Sequence, residues 1–95
     1  MKVIDEDMLD TFRSLRRCEL CGRAGKVEPH HIWARGMGGG GRLDVRFNLI
    51  GLDRYCHTLV HAGKIQRSEL LAVVGPREGL TPERIEEMVW ELRRK

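Results

Sequence analysis

The sequence predicts a small α+β domain, with two short strands and a helix at its centre and amphipathic helices at either end. Three observations carry that expectation. A chain of 95 residues has room for one domain of ordinary size. Apolar residues recur at helical spacing near both ends, while the middle holds two short apolar or β-branched runs separated by glycines. All four histidines and all three cysteines fall between Cys18 and Lys64. A chain this short buries only about two-thirds of its surface and often needs a metal or a partner subunit.

Each element has a local reason. Asp5 to Arg16 places Met8, Leu9, Phe12 and Leu15 on one helical face, with acids first and arginines last, as the helix dipole favours. Cys18 to Gly22 is a tight Cys-x-x-Cys knuckle, and Val27 to Trp33 is a short strand. Gly36 to Asp44, with five glycines, is expected to be a mobile loop without regular structure. Leu49 to Leu52 is the return strand. Asp53 or Arg54 opens a helix that runs through His61 and stops at Gly63. Ser68 to Val74 is a short helix capped by Ser68 and ended by Gly75-Pro76. Thr81-Pro82 starts the last helix, as N-cap and first-turn proline, with an apolar stripe of Ile85, Met88, Val89 and Leu92. The central motif spans residues 18–64 of a single domain, 1–95, and the helical C-terminal extension spans 68–95. Trp33 and Trp90 are expected in the core rather than at a stacking surface.

Charge and composition narrow the function. The net +3 is the sum of an acidic first ten residues, with one lysine against four acids, a basic centre and a nearly balanced tail. Thr11 to Arg67 carries eleven Lys or Arg against Glu19, Glu28, Asp44 and Asp53. A basic surface around metal-ligating residues favours a polyanionic partner, bound with release of counterions. No run approaches the ~18 apolar residues of a membrane span, and the acidic start does not read as a signal peptide. The odd cysteine count argues against a secreted disulfide scaffold, so a reducing, cytoplasmic setting is expected.

The histidines form the first constellation. His57 and His61 are four apart on one helix, so both imidazoles reach the same metal ion. Successive strand residues face opposite sides, so His30 and His31 have different tasks: one joins the helix pair, the other looks toward a substrate. Three imidazoles leave positions open for water and a phosphate oxygen, as a catalytic site requires. The spare imidazole is a natural base. Cys18-x-x-Cys21 and Asp53-x-x-Cys56 form the second constellation, suited to a tetrahedral structural zinc, with Asp53 either a ligand or a helix N-cap. A thioredoxin-like redox pair lacks its βαβ setting. A C2H2 finger fails on spacing, since 35 residues separate Cys21 from His57 where a finger has about twelve.

The order Cys18-x-x-Cys21, His30-His31-Ile32, glycine-rich loop, Asn48-Leu49, Asp53-x-x-Cys56-His57-x-x-x-His61 resembles the HNH endonucleases, especially the small four-cysteine type of phages and mobile elements. The downstream Glu69-Leu-Leu and Gly79 to Glu87 stretches are similar to the tails of those proteins. The resemblance implies a ββα-metal (His-Me finger) core. It implies His31 as general base, its other ring nitrogen held by a backbone carbonyl, and His30, His57 and His61 as ligands of a catalytic divalent ion. Asn48 would brace the loop and orient the base. The activity implied is hydrolysis of DNA, expected to be double-stranded, leaving 5′-phosphate and 3′-hydroxyl ends. One active site in a monomer or weak dimer would nick one strand at a time. Imidazole ligands favour Mn²⁺, with Mg²⁺, Ni²⁺, Co²⁺ or Zn²⁺ admissible. Here Asp53 stands where the family has a zinc cysteine, and Trp33-Ala34 where many members have proline. Arg35, Arg42 and Arg46 flank the loop and are the expected phosphate contacts. The competing reading is a zinc-stabilised DNA-binding module with a vestigial nuclease site, which has no need of His31 beside His30.

Overall fold

The computed structural model describes residues 2–34 and 42–94; Arg35 and the glycine-rich run 36–41 lie outside them. The elements are α1 (Glu6–Arg13), β1 (Glu28–His31), a 3-10 turn (Arg46–Asn48), β2 (Leu49–Leu52), α2 (Arg54–His61), α3 (Arg67–Glu78) and α4 (Pro82–Arg93). This is the expected α+β arrangement: one two-stranded antiparallel sheet and four α-helices among the described residues. No helix among them is long and apolar enough to cross a membrane.

The strand register distributes the site residues. Glu28 lies opposite Leu52, Pro29 opposite Gly51, His30 opposite Ile50 and His31 opposite Leu49. Side chains alternate between faces, and directly opposed residues share one. Leu49 packs with Leu9 and Phe12 of α1, whereas Ile50 and Leu52 join the main core with Cys56, Leu70, Val74, Ile85 and Val89. Glu28 and His30 therefore share the face of Ile50 and Leu52, and Pro29 and His31 the face toward α1. All four β2 residues are buried, and each of its three large side chains contributes roughly 1.5–3 kcal/mol by leaving water. Gly51 leaves room for Val27 and for Phe12 and Leu15, at and just past the end of α1: a Cβ there would lie 2.7 Å from Val27 Cγ1, 2.9 Å from Leu15 Cδ1 and 3.6 Å from Phe12 Cδ1.

The first strand is shorter than the expected Val27 to Trp33. After His31 the ladder ends, and Ile32 N–H donates to the Asn48 carbonyl at 2.9 Å. Helix α1 also stops early, at Arg13 rather than Arg16. The residues beyond it are drawn into the knuckle instead: Gly25 N–H donates to the Arg16 carbonyl, and Arg17 bridges Ala24. At the other end Asp5 caps α1 by accepting the Met8 N–H at 3.0 Å. Leu43, expected within an irregular loop, forms a parallel bridge with Val3.

Helix α3 corrects a second expectation. It does not end at Gly75-Pro76 with a Ser68 cap; it runs from Arg67 to Glu78 with Pro76 inside and Gly79 as its left-handed C-cap, φ 70°. Its cap is Gln66, whose N–H donates to the Glu69 carboxylate at 2.8 Å. An interior proline costs about 3 kcal/mol, and the continuation is held by Arg77. Arg77 Nη1 donates to Glu19 at 2.7 and 3.0 Å, and Nη2 to the carbonyls of Arg46 and Leu49 at 2.6 and 2.9 Å. Gly75 suits the tight return, since a Cβ there would meet the Leu80 carbonyl at 2.8 Å.

Helix α4 starts as expected, with Thr81 accepting the Arg84 N–H at 3.1 Å and Pro82 at the first position. Ile85 and Val89 are buried. Trp33 is buried as expected, but Trp90 is 44% exposed. It falls one residue past Val89, about 100° around the helix, and its ring packs against Arg93 instead of the core.

Candidate functional site

Two groups of ligand-type side chains converge, on different sides of α2. At its start, the ligand atoms of Cys18, Cys21, Asp53 and Cys56 all lie within 4.8 Å of one another, close enough to hold a metal ion. The three cysteines are free thiols. The two readings of Asp53 prove compatible, because its oxygens divide the work. Oδ1 accepts the Cys56 N–H at 2.7 Å and caps α2, while Oδ2 faces the thiols and accepts from Cys21 Sγ at 3.1 Å. Burial, then the neighbouring Cys21 and Cys18, push the Cys56 thiol well above its ordinary range. At Cys18 burial acts upward too, but backbone N–H groups around the knuckle outweigh it and favour the thiolate. Three sulfurs and a carboxylate are a donor set that fits tetrahedral zinc, and a dication is what would stabilise several thiolates in so small a space.

The second group is His30, His57 and His61, whose ring nitrogens also lie within 4.8 Å of one another. Strand β1 supplies the first and the exposed face of α2 the other two. His30 Nδ1 and His57 Nε2 are 3.3 Å apart, and the ring centroids of His57 and His61 are separated by 4.7 Å. Burial, followed by the neighbouring imidazoles, lowers the His30 pKa to about 4, so the ring is neutral at pH 7 and one of its two nitrogens carries a free lone pair. The group opens onto a cleft of about 420 Å³ lined by Glu28, Arg54, His57, Thr58 and His61.

Glu28 completes this group and was missed in the sequence. Its Oε1 accepts from His57 Nδ1 at 2.8 Å, which points Nε2 at His30 and His61, and its other oxygen pairs with Arg54 at 3.0 Å. The bond to His57, opposed by a little burial, holds its carboxyl below the usual range. The available signal was spacing: Glu28 is two residues before His30, on the same face of the strand. Carboxylates that orient ligating histidines in this way are a recurrent feature of metal sites.

His31 lies on the other face, with its imidazole a quarter exposed. Its Nε2–H donates to Asp44 Oδ1 at 2.7 Å. The expected backbone carbonyl is thus replaced by a carboxylate, and a buried one: the Asp44 side chain is 0% exposed. Asp44 also accepts from Arg42 Nε and Nη2, at 2.7–3.0 Å, and from the Asp5 N–H at 2.8 Å. Burial acts to raise its pKa, but these bonds outweigh it and hold the carboxylate ionised far below the ordinary range. Nothing local foretold this contact, because Asp44 is 13 residues from His31 and its alignment depends on the N-terminal arm. His31 and Arg42 border a second cleft of about 300 Å³.

Asn48 is fully buried and braces the chain on both sides of residues 35–41. Its Oδ1 accepts the Trp33 N–H at 2.8 Å, and its Nδ2 donates to the carbonyls of Trp33 and Leu43 at 3.2 and 3.1 Å. The loop arginines are less available than the sequence suggested. Arg42 is held by Asp44 and by Glu6 at 2.8 Å, and Arg46 pairs with Glu78 at 3.1 Å. Arg35 lies outside the described residues. No family model, curated protein or solved structure matches the chain, so the functional reading stands on these residues and their geometry.

Proposed function

We propose that this chain is a metal-dependent DNA endonuclease of the HNH type, hydrolysing phosphodiester bonds one strand at a time. The observation that carries the reading is the pairing of two arrangements around one strand. Three imidazoles converge at a solvent-open cleft, and the adjacent His31 is held through Nε2 by a buried carboxylate. The cysteine set would hold a structural zinc and fasten the knuckle to α2.

In this mechanism His31 keeps its proton on Nε2, facing Asp44, so Nδ1 offers a lone pair. His31 Nδ1 takes a proton from a water molecule as that oxygen adds to phosphorus. Asp44 fixes the ring's orientation and stabilises the imidazolium that forms, as a carboxylate behind a catalytic histidine does. The phosphorus–3′-oxygen bond breaks, leaving a 5′-phosphate and, after solvent protonates the departing oxygen, a 3′-hydroxyl. A divalent ion held by His30, His57 and His61 would supply Lewis-acid stabilisation of the charge that builds on the phosphate. Glu28 orients His57, and Asn48 keeps the chain around His31 in register. The donor set of three imidazoles suits Mn²⁺ better than Mg²⁺.

A plasmid-nicking assay across Mn²⁺, Mg²⁺, Ni²⁺, Co²⁺ and Zn²⁺, with a chelator control, tests the proposal. Relaxation of supercoiled DNA that needs added metal and is lost in His57→Ala is the expected result. DNA binding without cleavage in any metal would replace it with the zinc-stabilised binding module.

A further inference from the structure

The basic centre of the chain is not uniformly available to a polyanion. Arg13, Arg42, Arg46 and Arg77 are tied to acids. Arg23 and Lys26 are exposed and make no ion pair among the described residues. Both sit on the run from the knuckle to β1, beside the first turn of α2, where a cleft of about 550 Å³ is lined by Arg23, Lys26, Arg54, Tyr55 and Thr58, with the mostly buried Asp53 as its one acid. Tyr55 is 56% exposed, and the Arg23 guanidinium stacks on its ring at 5.0 Å from the centroid. Arg54, which pairs with Glu28 at 3.0 Å yet keeps its side chain 82% exposed, and Thr58 line this cleft and the histidine cleft alike. They share one helical face with His57 and His61, at positions i, i+3, i+4 and i+7. The two clefts therefore adjoin at Arg54 and Thr58, and together they form a groove along this face of α2.

We propose that this groove carries the phosphodiester backbone of a DNA strand, led from Arg23 and Lys26 past Tyr55 and Arg54 to the three histidines. The inference rests on the endonuclease reading and specifies where its substrate lies, on the knuckle side of α2 rather than around Arg42 and Arg46. Spaced cations in a concave surface match the charge repeat of a strand, and an exposed aromatic ring beside them offers a face to sugar or base. Few exposed aliphatic groups accompany them, as a lipid surface would require.

Fluorescence anisotropy with a labelled 20-base-pair duplex tests the groove, in the full chain carrying His31→Ala so that binding is read without cleavage. Arg23→Glu/Lys26→Glu should weaken binding at least tenfold at low salt and reduce the slope of log affinity against log salt by roughly two, about 0.9 for each lost phosphate contact. Lys26→Glu alone should move affinity the same way by less, and Arg84→Gln, on α4, should leave it within twofold. The charge-conserving Arg23→Lys/Lys26→Arg protein should bind like its parent, which separates loss of charge from loss of fold. Unchanged binding by the double glutamate variant, or an equal fall in the charge-conserving one, overturns the groove. Cleavage by the wild-type chain, measured in parallel, distinguishes the two claims. Cleavage indifferent to Arg23 and Lys26 refutes the groove and leaves the nuclease. Groove-dependent binding with no cleavage supports the groove and refutes the nuclease, and no binding by the parent refutes both.

Discussion

Replacing Asp44 by alanine should injure stability and chemistry together, and by amounts the structure allows to be worked out. The carboxylate is completely buried and accepts from His31, from Arg42 and from the Asp5 amide. Truncation leaves these donors facing a cavity. Breaking a buried ionic group of this kind costs about 3–5 kcal/mol. The total for a domain this size is only about 5–15 kcal/mol, and each kcal/mol moves the midpoint about 4–8 °C, so a fall in Tm of roughly 12–40 °C is expected at pH 7. The pH dependence has a definite sign. Asp44 titrates lower in the folded chain than its unfolded value of about 3.9, so in the window between the two values the unfolded state binds the proton. Its stabilisation is complete above about pH 4 and is lost as pH falls through the folded value. Urea titrations of wild type and Asp44→Ala at pH 7 and pH 3 should therefore show a gap that narrows in acid. Cleavage should fall roughly 10²–10⁴-fold, the range for an impaired general base. A Tm within 3 °C of wild type at pH 7, or a gap that widens in acid, would refute the reasoning.

Three further outcomes follow from the same geometry. Glu28→Gln keeps the size of the side chain but removes the charge behind His57, so Mn²⁺ affinity by calorimetry should drop about 10–100-fold; equal affinity would show that Glu28 does not set the orientation of His57. Asp53→Asn preserves a good helix cap while removing a zinc donor, and should lower bound zinc by elemental analysis together with Tm; unchanged zinc and Tm would make Asp53 a cap alone. Gly51→Ala should cost about 1–3 kcal/mol by overpacking against Val27 and Leu15, read as a lower urea midpoint at constant slope.

What could be read in the sequence was whatever short-range chemistry decides. Strand β2 announced itself as a four-residue apolar run, and α2 and α4 by their caps. The i, i+4 spacing set His57 and His61 on one face, and strand alternation set one of His30 and His31 beside them, the choice of His30 being implied by the family resemblance. The Cys18-x-x-Cys21 and Asp53-x-x-Cys56 spacings suggested the second group. The failures are contacts made across distance. Helix α3 outlasts Pro76 because Arg77 finds Glu19 and two carbonyls on other elements. Helix α1 ends early because Arg16 and Arg17 serve the knuckle. The partner of His31 is Asp44, positioned by Asp5, Arg42 and the Val3–Leu43 bridge, none of which a local pattern encodes. Arg42 and Arg46, expected as phosphate contacts, carry ion pairs that a local pattern does not encode: Glu6 and Glu78 are remote in sequence, and only Asp44, two residues from Arg42, is near. His30 was expected to join the helix pair and His31 to look elsewhere, and the register of β1 against β2 accounts for that division.

The central claim, that His31 activates water beside a three-histidine site, is tested most directly by the rate at which wild type and His31→Ala relax supercoiled plasmid in Mn²⁺. Mn²⁺ binding by each protein is measured on the same preparation. Wild type should give nicked circles with 5′-phosphate and 3′-hydroxyl ends. His31→Ala should lose at least 100-fold of that rate while its Mn²⁺ affinity is retained. Cleavage by His31→Ala at the wild-type rate would contradict the claim.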